Sequence, residues 1–195
     1  MDKPAERGPA THTVFPSPYG WILLAANERG ICRVDFIGPF RPPENDPQSL
    51  LGLPSDRGKG EETFLESLLR RAQESVCGYL EEGRPLEEFP LDLSAGTAFQ
   101  QRVWRCLEAI PFGRTRTYLD VAEEMGNPRA SRAVGQACSK NPVALFVPCH
   151  RVVARGGKLG GFSGGIEIKK ILLELESRGR PVGPWQGGGN EGEFP

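Results

Sequence analysis

A chain of 195 residues that is 38% hydrophobic has room for one large domain or two small ones, so size alone demands neither a structural metal nor a disulfide framework. Five cysteines without paired spacing exclude a stapled secreted mini-protein, and no run approaches the roughly 20 apolar residues of a membrane span. The net charge of −1 conceals a division: residues 1–96 carry 10 Lys/Arg against 16 Asp/Glu, whereas residues 97–180 carry 14 against 7.

The N-terminal stretch MDKPAERGPATHT has no apolar run that would serve as a signal peptide, and with the unpaired cysteines it leads us to expect a soluble cytoplasmic protein. Residues 1–12 read as a flexible polar lead. GWILLAANERGICRVDFIG then reads as a half-buried hairpin turning at NERG, because Cys32, Val34 and Phe36 alternate with Arg33 and Asp35. The segment RPPENDPQSLLGLPSDRGKG is a loop by its proline, glycine and charge. After it, Phe64, Leu65, Leu68, Leu69, Val76, Tyr79 and Leu80 fall near helical spacing, with Cys77 among them as core and Gly83 as the stop.

From residue 97 the helices shorten. TAFQ is a capping box, with Thr97 and Gln100 closing the start of a helix whose face carries Phe99, Val103, Leu107 and Ile110, stopped by Pro111 and Gly113. Thr117 opens another helix ending near Gly126, and Asn127 is placed to cap a third that begins at Pro128. Two helices about a short GN turn form either a helix-turn-helix, with Arg129 and Arg132 in the opening turns of its second helix, or an ordinary helical hairpin. The positive half of the chain accordingly either faces a polyanion or spreads its cations over a solvated surface.

FVPCHRVVARGG, residues 146–157, sets a cysteine between proline and histidine, and three readings stand: nucleophile, metal ligand or core filling. An ordinary thiol with a pKa of about 8.5 is only about 3% ionised at pH 7, so a reactive Cys149 requires activation. His150 would act on it through a water, and Glu176, on the final helical stretch GIEIKKILLELES, is the carboxylate to stabilise a charged imidazole. A metal site is poorly supplied, because the only histidines are His12 and His150 and no Cys-x-x-Cys occurs. No metal and no cofactor is expected.

GTAFQQRVW, IPFGRTRTY, RASRAVGQACSKNPVALFVPCHRVV and GGKLGGFSGGIEIKKILLELE occur in this order over about residues 96–177, and together they resemble the O6-alkylguanine-DNA alkyltransferase family. SPYGWILLAANERGICRVDF is similar to the hairpin of that family's first domain. The resemblance implies an α/β plus α protein: a ribonuclease-H-like α/β domain over residues 13–92, a winged-helix-like domain with a helix-turn-helix over 96–178, and a flexible tail over 179–195.

It also implies direct-reversal DNA repair, in which Cys149 takes the alkyl group from guanine O6, and possibly from thymine O4, in one stoichiometric turnover. Within that implied site His150 communicates with the sulfur through water, Glu176 orients His150, and Asn141 supports the loop. Tyr118 bonds guanine N3 and supplies a proton, Ser163 bonds the O6 side, and the carbonyls of Cys149 and Val152 receive the exocyclic amine. Arg132 is the implied finger that fills the stack after the nucleotide flips. Arg129, Ala130, Ala133 and Gly135 lie on the same recognition helix, whose small residues permit close approach to the DNA backbone. The implied partner is duplex DNA bearing alkylated guanine, bound by a monomer with little sequence preference, in the nucleoid if the source is prokaryotic.

Phe162 stands where the resemblance implies Tyr or Trp in some members, which leaves stacking and gives no side-chain hydrogen bond at that position. The histidines of the zinc site that some relatives hold in the first domain are missing here. Three rivals remain at this point: a lesion-binding protein without chemistry, which Cys149 argues against; a cysteine hydrolase using Cys149, His150 and Glu176; and an alkylation-sensing regulator.

Overall fold

The computed structural model describes residues 10–37 and 63–177, so the expected loop at 41–60, most of the lead and the tail with Trp185 lie outside the described residues. The chain divides into two compact units, one running through Asp92 and the other from Leu93 onward.

The first unit is built on an antiparallel sheet of three strands in the order β1-β2-β3: β1 Thr11–Ser17, β2 Gly20–Asn27 and β3 Gly30–Ile37. β1 corrects the expectation that the lead runs to residue 12 and that only a hairpin follows. Its residues THTVFPS bury only Phe15 fully and include a proline opposite Trp21, which an edge strand tolerates and a periodicity reading passes over. With β1 and β3 on its flanks, β2 is central and buried on both faces from Ile22 to Ala26, rather than half-buried.

The outer edge of β3 is closed by residues 90–92: Ile31 donates to the Pro90 carbonyl at 2.8 Å and Asp92 donates back to the Ile31 carbonyl at 2.8 Å. Gly30 permits this approach, since a Cβ there would lie 2.1 Å from the Pro90 oxygen and its φ is +132°. Helix α1, Phe64–Glu82, packs on β1 and β2 through Leu68, Leu69, Ala72, Val76, Tyr79 and Leu80, and ends at Gly83 in the left-handed conformation. Its first turn points outward, which leaves Phe64 exposed, and Cys77 is half-buried at the edge of the apolar stripe.

The second unit begins with α2, Ala98–Glu108, whose expected Thr97–Gln100 capping box forms in both directions. α1 and α3 carry the same device at Thr63–Glu66 and Thr117–Asp120, each worth about 1 kcal/mol. Trp104, absent from the expected core of α2, is fully buried and donates its indole N–H to the Ala137 carbonyl at 2.9 Å.

A two-residue strand β4, Arg116–Thr117, leads directly into α3, Tyr118–Glu124; one 3-10 turn, Pro128–Ala130, then precedes α4, Ser131–Ser139. α3 and α4 pack together about the turn at Gly126, giving the helix-turn-helix. Asn127 makes no side-chain cap bond, because Pro128 opens the 3-10 turn and the α-helix starts only at Ser131. The chain then forms a 3-10 turn at Cys149–Arg151, the strand β5, Val152–Val153, parallel to β4, and finally α5, Ile166–Ser177.

Candidate active site

Three short segments converge on the thiol. The α4 C-terminus delivers Asn141, and a tight loop follows in which Leu145 adopts a positive φ of 77°, an unfavourable conformation for a branched side chain. Pro148 leads into the 3-10 turn, where Cys149 donates its amide to Val147 at 2.8 Å and Arg151 donates to Pro148 at 2.9 Å. Asn141 ties this segment together: its Nδ2 donates to the Val147 carbonyl at 2.8 Å and to Cys149 Sγ at 3.1 Å, while Oδ1 accepts from Val143 at 3.1 Å. Asn141 thus contacts the sulfur itself, beyond the loop-supporting part expected of it.

Behind the turn, the buried carboxylate of Glu176 gathers donors from three directions. Oε1 accepts from His150 Nε2 at 2.8 Å and from Arg151 Nη2 at 3.0 Å, while Oε2 accepts from Arg151 Nε at 3.0 Å and the Gly113 amide at 2.8 Å. The remaining Arg151 nitrogen, Nη1, donates to the Ile110 carbonyl that closes α2, at 2.6 Å. Although burial pushes the Glu176 carboxyl up, the donors from His150 and Arg151 outweigh it and hold the pKa at about 2.

Lys169 lies on the same face of α5, seven residues before Glu176. Its side chain is fully buried, its Nζ donates to the Val152 carbonyl at 2.6 Å, and it stands 5.9 Å from the centre of the Tyr118 ring. Burial lowers the lysine pKa, and the thiols of Cys149 and Cys138 oppose that fall. For Cys149 burial pushes the pKa up, opposed by the Asn141 hydrogen bond and then by the Lys169 charge. His150 is fully buried and its pKa falls by desolvation, with Glu176 pulling it back up and Arg151 and Lys169 pushing it down.

Pairing of β4 with β5 sets Tyr118, the first residue of α3, beside the thiol segment. Burial raises the phenol pKa to about 12, with Cys138 and Cys149 adding to the rise. Two glycines fit around its ring: a Cβ at Gly160 would lie 2.3 Å from the hydroxyl, and one at Gly135 would lie 3.7 Å from the ring edge. At Gly135, expected to approach DNA, that distance is an ordinary contact, so Tyr118 demands a glycine only at Gly160.

Phe162 meets His150 edge to face, with centroids 6.2 Å apart. Ser163 is exposed on the segment leading into α5; Arg129 is exposed in the Pro128–Ala130 turn and Arg132 in the first turn of α4, with Ala130 and Ala133 half-buried beside them. The carbonyls expected to receive an amine each accept one bond already, Cys149 from the Val152 amide and Val152 from Lys169; the second lone pair of each oxygen remains in the inventory.

Sequence reasoning missed Arg151, Lys169, Cys138, Gly113 and Gly160. The signal for Lys169 was present: Lys169, Leu172, Leu173 and Glu176 follow the i, i+3, i+4, i+7 spacing of a buried face, and all four are buried. Among the described residues, no three His, Cys, Asp or Glu side chains gather as a metal ion would need.

Two family models cover most of the chain: 6-O-methylguanine DNA methyltransferase, ribonuclease-like domain, over residues 11–93, and 6-O-methylguanine DNA methyltransferase, DNA binding domain, over residues 98–178. A methylated-DNA–protein-cysteine methyltransferase of Methanosarcina acetivorans is 41% identical over 166 residues, which span 85% of this chain and 97% of that protein. The crystal structure of the Mycobacterium tuberculosis O6-methylguanine methyltransferase matches with a TM-score of 0.71 at 34% identity, over 89% of this chain and 96% of that one. A structure of the M. tuberculosis OGT in complex with DNA matches with a TM-score of 0.68 at 34% identity, over 88% and 95% of the two chains.

Proposed function

The chain belongs to the 6-O-methylguanine DNA methyltransferase family, and we propose that it repairs DNA by direct reversal, transferring the alkyl group of O6-alkylguanine to Cys149 once per molecule. The observation that carries this reading is the buried Cys149 sulfur, accepting from Asn141 and set next to a His150–Glu176 pair.

In this reading the Cys149 proton passes to His150, and the sulfur lone pair forms an S–C bond as the C–O6 bond breaks. The electron pair released onto guanine draws a proton from Tyr118. A phenol raised to about 12 stays protonated at neutral pH and donates only where charge appears in the transition state. The thioether has no easy hydrolytic exit, so the protein is consumed. Gly160 lies against Tyr118 and Phe162 against His150, which supports their contact with the flipped base.

DNA is the partner that this family membership and the exposed Arg129 and Arg132 on the helix-turn-helix support. Arg132 fills the gap left by the flipped nucleotide, an extrusion that costs a few kcal/mol. Arg132→Ala therefore slows repair in duplex DNA far more than reaction with free O6-benzylguanine; equal losses exclude the finger.

The direct test is mass measurement of the protein and its peptides after incubation with duplex DNA carrying one O6-methylguanine. One methyl group on the Cys149 peptide, saturating at about one per molecule, is the expected result. Tight lesion binding without mass gain, or loss of the lesion with unmodified protein, overturns the proposal in favour of a lesion binder or a hydrolase respectively.

A further inference from the structure

Glu176 and His150 alone would form a buried carboxylate–imidazole pair, an arrangement that favours the charged imidazolium. The structure adds a third member. Arg151 lays Nε and Nη2 along the Glu176 carboxylate at 3.0–3.1 Å, and its own position is fixed by the 2.6 Å bond from Nη1 to the Ile110 carbonyl and by stacking of its guanidinium 5.7 Å from the Phe112 ring centre. The Gly113 amide occupies Oε2 as well, so donors surround the carboxylate.

We propose that Arg151 is a positioning residue for the alkyl transfer: by pairing the charge of Glu176 it keeps the His150 imidazole neutral, with its proton on Nε2 and Nδ1 as the basic nitrogen that serves Cys149. The inference rests on the alkyl-acceptor reading of Cys149.

The charges facing His150 carry the argument. From α5 come Glu176 and Lys169, and from its own 3-10 turn come Arg151 and Cys149. With Glu176 paired to Arg151 their charges cancel, and protonating a fully buried imidazole would add a cation to a site that already holds Lys169. Burial lowers the His150 pKa and Arg151 acts in the same direction, against Glu176.

An ionised carboxylate only accepts, so the 2.8 Å contact fixes the ring proton on Nε2 and leaves the lone pair on Nδ1. When the thiol reacts, the S–H electron pair stays on sulfur and the proton goes to Nδ1, directly or through one water. The resulting imidazolium then donates to Glu176 from Nε2. Arg151 thus separates two resting states available to a Cys–His pair: thiol with neutral imidazole, which it favours, and thiolate with imidazolium.

The chain holds only two histidines, so nitrogen NMR of 15N-histidine-labelled full-length protein, in a His12→Gln background, reads His150 alone. In the unmodified Arg151 protein, His150 should show one protonated and one unprotonated ring nitrogen from pH 7 down to about pH 6, below the ordinary histidine pKa of about 6.5. Arg151→Met should move its titration up by about one to three pH units, as an unscreened neighbouring carboxylate does. Arg151→Gln, which still donates without charge, should do the same, and Arg151→Lys should keep the imidazole neutral.

An imidazolium at pH 7 in the protein with Arg151 intact overturns the proposal without reference to any variant, as does an unmoved titration in either neutral variant. Because the reading is spectroscopic and made before any substrate is added, it is separate from the mass test. A neutral His150 in a protein that takes up no methyl group would sink the repair reading and leave the charge assignment standing.

Discussion

Asn141→Ala removes three hydrogen bonds at once, and the geometry separates their consequences. Two of them hold the loop: the Val147 carbonyl and the Val143 amide both lose their side-chain partner in a buried position. The Val147 carbonyl still accepts from the Cys149 amide, so only the Val143 amide is stranded, at about 1–3 kcal/mol; with about 0.5–1.5 kcal/mol for the second bond lost, the loop should lose about 1.5–4.5 kcal/mol of stability. The third bond ends on Cys149 Sγ at 3.1 Å and strengthens when the sulfur ionises. Hydrogen bonds to charged groups are worth about 1.5–3 kcal/mol, which corresponds to a transfer rate lower by about 10- to 150-fold.

Urea unfolding reads the first effect. Single-turnover reaction with O6-benzylguanine, under conditions where the variant is folded, reads the second. A folded variant that reacts within about threefold of the parent would refute the part assigned to the sulfur bond, and a stability loss under about 0.5 kcal/mol would refute the loop accounting.

Lys169→Met should slow transfer by about tenfold or more at pH 7 and move the rate profile to higher pH, because the charge that lowers the Cys149 pKa is gone, while stability holds or rises since a buried cation is replaced by an apolar chain; an unchanged profile excludes electrostatic help from Lys169. Gly160→Ala places a methyl 2.3 Å from the Tyr118 hydroxyl, so the phenol must shift, and reaction with both free base and DNA should fall, as single-turnover rates on the two substrates would reveal. Unfolding free energy should decline by up to about 1.4 kcal/mol per pH unit as pH falls below about 6.5, because the unfolded chain protonates His150 and the fold, by burying it, does not. Glu176, held at about 2, adds the same sign of slope only below its ordinary range near pH 4.3, so titrating His150→Gln against the parent between pH 5 and 6.5, both in a His12→Gln background, isolates the histidine.

Legibility in the sequence followed the range of the interaction that fixes each feature. Capping at Thr97 and Thr117, the stop at Gly83 and the helix carrying Glu176 are set within a few residues, and reading them needed no tertiary information. β1 was missed because its pairing to β2, not its own periodicity, makes it a strand. The start of α4 slipped by three residues because a 3-10 turn with the same proline signal precedes it.

Within the site, Cys149, His150, Glu176, Asn141 and Tyr118 were visible through quoted motifs, and the fold brings their segments together. Arg151 sat in the same motif yet drew no role, since nothing local says that an arginine beside a buried histidine turns inward to a carboxylate 25 residues away.

The buried charges give a physical account of why the thiol waits for substrate. Count Lys169 as an ammonium, cancel Glu176 against Arg151, and keep His150 neutral: the resting pocket then carries one positive charge while Cys149 remains a thiol. Passing the sulfur's proton to His150 leaves that net charge unchanged and gives a thiolate in a pocket that holds two cations, Lys169 and the imidazolium. Desolvation keeps the thiol protonated at rest, whereas Asn141 and Lys169 favour its anion. Their donors and charge are already oriented before the reaction, so no reorganisation is needed when the thiolate forms. These preoriented groups therefore offset part of the desolvation that holds the resting sulfur as a thiol, so stabilisation of the anion is already in place when it forms. Burial also restrains adventitious alkylation, because Cys149 is 3% exposed and largely un-ionised until a base occupies the site.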